Sequence, residues 1–182
     1  MALRADEYSQ LPPTSGTKPE PNVIIQLCDS GNSNSGAPLT DPSNVEFAGL
    51  VKDWSKLTQR LWIWNYVTGT CCHRYTNSVA DFGDVRADFG DYVQSYPNYY
   101  VIGPNIKFFA DHGVAGVFEE GPGMIVGDGS DLEELKDYVM ASMLWDPTLD
   151  PDTLIAEFLL ACENTRMLDV GAMHCFLSKS CC

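Results

Sequence analysis

The chain has 182 residues, 45% of them hydrophobic, which is enough for one domain with a real core. Its net charge of −14 and pI near 4.3 exclude a phosphate backbone or an anionic membrane as the natural partner, because neither rewards an acidic surface. No apolar run approaches the ~20 residues needed to span a bilayer, and Met1 to Glu7 lacks the apolar centre of a signal peptide, so no export signal or spanning segment is expected.

Taken in chain order, the Pro-rich polar stretch 9–21 reads as a loop. Val23 to Cys28 is β-branched and apolar and predicts a strand, which runs into a Gly/Ser/Asn loop from Asp29 to Gly36. Beyond Asp41-Pro42-Ser43-Asn44, the apolar residues Val45, Phe47, Leu50, Val51, Trp54 and Leu57 recur at helical spacing, with Ser43 or Asn44 as the cap. Leu61 to Val67, rich in aromatic and β-branched residues, predicts a second strand that carries Asn65 and Tyr66 at its C-terminal end.

The segment 70–94 holds a tandem echo, Ala80-Asp81-Phe82-Gly83-Asp84 and Ala87-Asp88-Phe89-Gly90-Asp91. A kinase reading of Asp-Phe-Gly fails because the catalytic and glycine-rich loops are absent, which leaves a local duplication in a surface loop. Next, Pro104 is expected to start a helix with Ile106, Phe108 and Phe109 on its apolar face, ending at Gly113. Val114 to Phe118 then predicts a strand buried on both faces, followed by Glu119 and Glu120. The glycines from Gly121 to Gly129 match neither phosphate-binding fingerprint, and no cofactor motif is present elsewhere. Ser130 or Asp131 is expected to cap a helix with Leu135, Val139 and Met143 on its apolar side, and Pro151 to open a last one bearing Leu154, Ile155, Phe158 and Leu159. After Cys162 the periodicity fades.

Seven cysteines, an odd count without disulfide-framework spacing, fit a reducing compartment better than secretion. Cys71-Cys72-His73 lacks a second ligand pair, so no metal site is expected. His73, His112 and His174 show no triad or ligand spacing, and Lys179 stands where a prenylation box needs cysteine. Strands alternating with helices predict a parallel α/β sheet with right-handed crossovers. Three clear strands in a chain of this length can supply only part of a closed barrel.

Several runs, in order, resemble one family: Tyr8-Ser9-Gln10-Leu11-Pro12-Pro13, Asn22 to Cys28, Asp53-Trp54-Ser55-Lys56, Trp62 to Val67, Pro104 to Phe109, Gly116-Val117-Phe118-Glu119, Leu144-Trp145-Asp146-Pro147 and Leu154 to Phe158. Together they are similar to the C-terminal half of the domain of unknown function 4838, a glycoside-hydrolase-like TIM barrel. The resemblance spans about residues 2–161 and leaves 162–182 as an irregular tail. It implies a partial (β/α)8 barrel made of the last three or four βα units plus C-terminal helices, with Ala2 to Tyr8 closing a further strand. It also implies a carbohydrate as partner. Asn65 stands where the family usually carries Asp, Glu120 where it carries Gln, and 70–90 resembles an insertion.

Successive strand residues face opposite sides, so Glu119 and Glu120 cannot both face the barrel mouth. The resemblance favours Glu119 as the acid/base or sugar-contacting group, since glycoside cleavage uses paired carboxylates. The plain alternative is a solvated carboxylate at a strand end. Trp62, Trp64 and Tyr66 share a strand face and suit a pyranose platform, although core packing is the stronger reading for Trp62. Asn65, on the other face, offers hydrogen bonds to a sugar but no proton-donor or nucleophile chemistry. Two classes follow: a domain contributing substrate contacts for glycosidic hydrolysis, or a non-catalytic remnant or sugar-binding module. Exposed sheet edges predict self-association.

Overall fold

The computed structural model describes residues 1–29, 33, 36–67, 98–120 and 132–164. Ten elements follow in order: strand β1 (Ala2–Ala5), a 3-10 turn (Glu7–Ser9), β2 (Ile24–Cys28), a second 3-10 turn (Pro42–Asn44), α1 (Val45–Ser55), β3 (Leu61–Tyr66), α2 (Tyr99–Asp111), β4 (Gly116–Glu120), α3 (Glu133–Trp145) and α4 (Pro151–Asn164). The four strands form one parallel sheet in the order β1-β2-β3-β4, so the chain winds steadily in one direction across it. This establishes the parallel α/β class.

The register explains the core. Ala5 pairs with Leu27, Leu27 with Ile63, and Ile63 with Val117, so one row of apolar side chains crosses all four strands on a single face. Side chains alternate along a strand, and Ile25 and Leu61 therefore lie on that same face, one step back. Against it pack Phe47, Leu50, Val51 and Trp54 of α1, spaced as one helical stripe, together with Phe108 and Phe109 of α2. Both crossover helices thus cover the same face. Phe47, Val51, Leu61 and Ile63 are fully buried, and each is worth about 1.5–3 kcal/mol by burial alone. A second cluster joins Val67, Ile102 and Ile106 to Leu135, Val139 and Met143 of α3 and Leu154 of α4, so the last two helices build outward from α2.

Pro104 does not start its helix. α2 begins five residues earlier, at Tyr99, and the proline sits inside it. Two local facts make this tolerable. The residue before it is Gly103, which has no Cβ for the proline ring to crowd. The carbonyl of Tyr100, which loses its usual N–H donor, belongs to an exposed residue that water can reach. Gly103 has a further duty: a Cβ there would come within 2.5 Å of the Pro151 Cβ, so α4 lies directly against α2 at this point. β4 also runs two residues beyond the predicted strand and includes Glu119 and Glu120.

Buried amides tie the connections down. Asn44, the predicted cap, makes no capping bond and instead donates from Nδ2 to the carbonyls of Ala37 (2.9 Å) and Pro38 (3.0 Å). Asn105 Oδ1 accepts from the Leu39 N–H at 2.8 Å. Asn98 Nδ2 donates to the Val67 carbonyl at 2.7 Å. Gln10 Nε2 donates to the Cys28 carbonyl (2.7 Å), and the Gln10 carbonyl accepts from the Trp54 indole (2.6 Å), which straps the first loop to β2 and α1. α4 continues to Asn164, beyond the predicted start of the tail. The Asp-Phe-Gly echo, the Cys71-Cys72-His73 run, the 121–129 glycines, the Ser130/Asp131 cap and the segment 165–182 lie outside the described residues.

Candidate functional site at the strand ends

The two faces of the sheet differ at the C-terminal ends of the strands, where an α/β fold of parallel strands holds its ligands. On the helix-covered face, the row after Leu27, Ile63 and Val117 is polar. It consists of Asp29, which extends β2 by donating its backbone N–H to the Trp64 carbonyl at 2.9 Å, then Asn65 of β3 and Glu119 of β4. Asn65 and Glu119 are register partners, and Asn65 Nδ2 donates to Glu119 Oε2 at 2.7 Å. Asp29 is 3% exposed and Asn65 7%, while Glu119 keeps partial exposure. The Ser33 hydroxyl donates to Asp29 Oδ2.

Burial pushes the Glu119 carboxyl up to about 7; the Asn65 hydrogen bond opposes that shift and the negative charge of Asp29 adds to it. At neutral pH the group is therefore divided between a proton donor and a proton acceptor. Asp29 was not among the residues singled out from the sequence. Its signal was available, because it is a carboxylate placed directly after an apolar strand, as Glu119 is. What hid it was the polar loop that begins there.

The opposite face has no described helix over it. Trp64 and Phe118, register partners, meet edge to face with ring centroids 4.7 Å apart. The Arg4 guanidinium lies 4.4 Å above the Trp64 ring, reaches the Cys28 sulfur at 3.5 Å, and pairs with Asp6 at 3.1 Å. That thiol contact, set against some loss of solvation, raises the arginine pKa further above its ordinary value. Trp62 lies flat against Gly116, where a Cβ would fall 2.8 Å from the indole ring. Trp62 remains 39% exposed and Phe118 45%, while Trp64 and Tyr66 are half-buried.

The structure therefore brings the expected residues together as two groups. Trp62, Trp64 and Tyr66 share the open face; Asn65 and Glu119 form a bonded pair on the other, turned toward the helices. Glu119 and the tryptophans thus approach a common ligand only over the rim. Glu120 is the register partner of Tyr66. Among the described residues, no group of three or more His, Cys, Asp or Glu side chains is gathered for a metal, and no helix is long and apolar enough to cross a membrane. The His112 ring is committed to the Phe108 carbonyl at 2.7 Å.

A parallel sheet wound in one direction, with described helices on one face and polar groups at the strand ends, defines an α/β domain with a candidate site at its C-terminal rim. The chain belongs to the family described as domain of unknown function DUF4838, whose model matches residues 4–73 and 77–162. No curated protein and no solved structure matches it.

Proposed function

We propose that this domain is carbohydrate-active: a sector of a glycoside-hydrolase-like (β/α)8 barrel that contributes substrate-contacting residues for the hydrolysis of a glycosidic bond. The observation that carries the reading is the aromatic row of the open face, Trp64 with Phe118 and Tyr66 beside it, ending at the rim that bears Glu119. Aromatic rings held in fixed positions by their neighbours offer a pyranose flat, apolar contact at little entropic cost. A carboxyl that exchanges its proton near neutrality supplies the acid/base role at the adjoining strand end. Asn65 orients that carboxyl and holds one of its oxygens. In this reading Trp64 and Tyr66 bind, Glu119 moves a proton, and Asn65 positions it, with Glu120 as a further strand-end contact.

The second reading is a sugar-binding module or remnant without activity of its own. It is favoured by the direction of Glu119, which shares the helix-covered face with Asn65 rather than the aromatic one. Calorimetric titration with neutral sugars, uronic acids and amino sugars separates the two. Trp64→Ala is expected to abolish saturable binding in both. Glu119→Gln is expected to preserve binding and abolish glycoside cleavage in the first, and to change neither in the second. A folded chain that binds no sugar at all refutes both.

A further inference from the structure

The polar row at the strand ends draws on three strands, and its two acids are held differently. The Asp29 N–H donates to the Trp64 carbonyl at 2.9 Å, as the Ile25 N–H does to the Arg60 carbonyl at 3.1 Å. The β2–β3 register therefore runs one step past Cys28 and sets Asp29 opposite Asn65, which is itself opposite Glu119. Adjacent strands lie about 4.8 Å apart, so the two acids stand ~10 Å apart at the backbone with one amide between them. Asp29 is buried and accepts the Ser33 hydroxyl at Oδ2. Glu119 keeps partial exposure, and Asn65 Nδ2 holds its Oε2 at 2.7 Å. No described residue is bonded to Oε1.

We propose that Asp29, Asn65 and Glu119 act as one unit, in which Asp29 is a positioning residue that keeps a negative charge behind the row and Glu119 carries the row's proton on the oxygen that Asn65 leaves open. Two like charges in one largely buried row are costly, so the row is most stable with a single proton shared between its acids. The surroundings decide which acid holds it. Asp29 lies deeper and has a hydroxyl donor, whereas Glu119 has one amide donor and reaches the rim. Burial and the charge of Asp29 both push the Glu119 carboxyl upward, to about 7. Other described charges are spent elsewhere. Glu46, Lys52 and Asp53 of α1 are exposed, as are Lys107 and Asp111 of α2, which pair with each other at 3.1 Å. His112 is bound to the Phe108 carbonyl, Arg4 pairs with Asp6, and Glu120 alternates to the open face. Use of the Glu119 proton in cleavage rests on the glycosidic reading; the coupling of the two acids does not.

NMR titration of the side-chain carboxyls of the 182-residue chain, without sugar, tests the unit. Asp29 is expected to lose its proton before Glu119 does, and the reverse order overturns the proposal whatever any variant shows. Asp29→Asn keeps the shape of the side chain and an acceptor for Ser33. It is expected to lower the Glu119 pKa by roughly half a unit to one unit, the effect of one charge ~10 Å away in a partly screened interior. The Asn65 side-chain amide protons should remain slow to exchange in that variant. An unmoved Glu119 pKa overturns the proposal. So does a fall that comes with fast exchange at Asn65, which is loosening of the row and not loss of a charge. If a glycoside is cleaved, the alkaline limb of kcat/KM should move to lower pH by the same amount in Asp29→Asn, and a limb that stays in place overturns the role of the unit in cleavage. Coupled titration in a chain that binds no sugar upholds the unit and refutes the carbohydrate reading alone.

Discussion

The two faces of the sheet carry the same strands in the same register and differ only in what alternation assigns to them. One holds Leu27, Ile63 and their neighbours under two helices. The other holds tryptophan, phenylalanine and arginine with no described helix above. The covered face is a core in the ordinary sense, and its side chains gain their full transfer free energy. The open face also carries large apolar side chains, but Trp62 and Phe118 stay exposed there and gain less from burial. The covered face turns polar only at its last row, where Asp29, Asn65 and Glu119 replace aliphatics at the strand ends.

The contrast is broken most severely by Ile63→Asp. It places an uncompensated charge at a fully buried position and is expected to leave no cooperative unfolding transition in urea. Phe47→Ala on the covering helix should cost about 3–5 kcal/mol in the same assay. Trp62→Ala on the open face, where the indole is 39% exposed, should cost less than half of that.

Gly103→Ala tests how the helices stack outward from the sheet. With only 2.5 Å between the added Cβ and the Pro151 Cβ, α4 must move off α2, at about 1–3 kcal/mol, and Tm should fall by several degrees. An unchanged Tm would mean that α4 can yield at Pro151 without cost.

Glu119→Gln sharpens the polar row. The folded pKa of about 7 lies above the ordinary 4.5, so the folded state holds its proton more tightly than the unfolded chain does. Below the ordinary value both states are protonated and the group is neutral with respect to folding. As pH rises from about 4.5 to about 7, the unfolded chain ionises first and stability is lost; above that range the loss is constant. Glutamine can still accept from Asn65, so the variant should match the native protein at pH 4 and exceed it at pH 8 by up to about 3 kcal/mol. Equal pH profiles of Tm for the two would contradict the raised Glu119 pKa. Asn65→Asp adds a third carboxylate beside Asp29 and Glu119 and should steepen the same loss. At the small end, Lys107→Ala removes an exposed pair with Asp111 at 3.1 Å and should change stability by less than about 0.5 kcal/mol.

Much of this molecule was legible along the chain. The stripe Phe47, Leu50, Val51 and Trp54 implied α1, and β-branched and aromatic runs implied β2 and β3 within a residue or two, because helix and strand periods are local properties. The alternation of Trp62, Trp64 and Tyr66 against Asn65 was legible for the same reason. Pro104 misled because its preference for a first turn is a statistical property of isolated helices. The missing Cβ of Gly103 and the exposed position of Tyr100 in the fold let the helix begin earlier.

The sequence by itself therefore determined the parallel α/β class, the helix faces and which strand residues share a side, since each follows from periods of two and 3.6 residues. Only the tertiary structure decided which side the helices would cover and, through the β3–β4 register, the placement of Glu119 beside Asn65 instead of beside the tryptophans. It alone joined Asp29, Asn65 and Glu119 into one row. Those three residues are tens of positions apart, and nothing local couples them. Their meeting is set by inter-strand register, which depends on how helices packed on one face pull the strands into alignment.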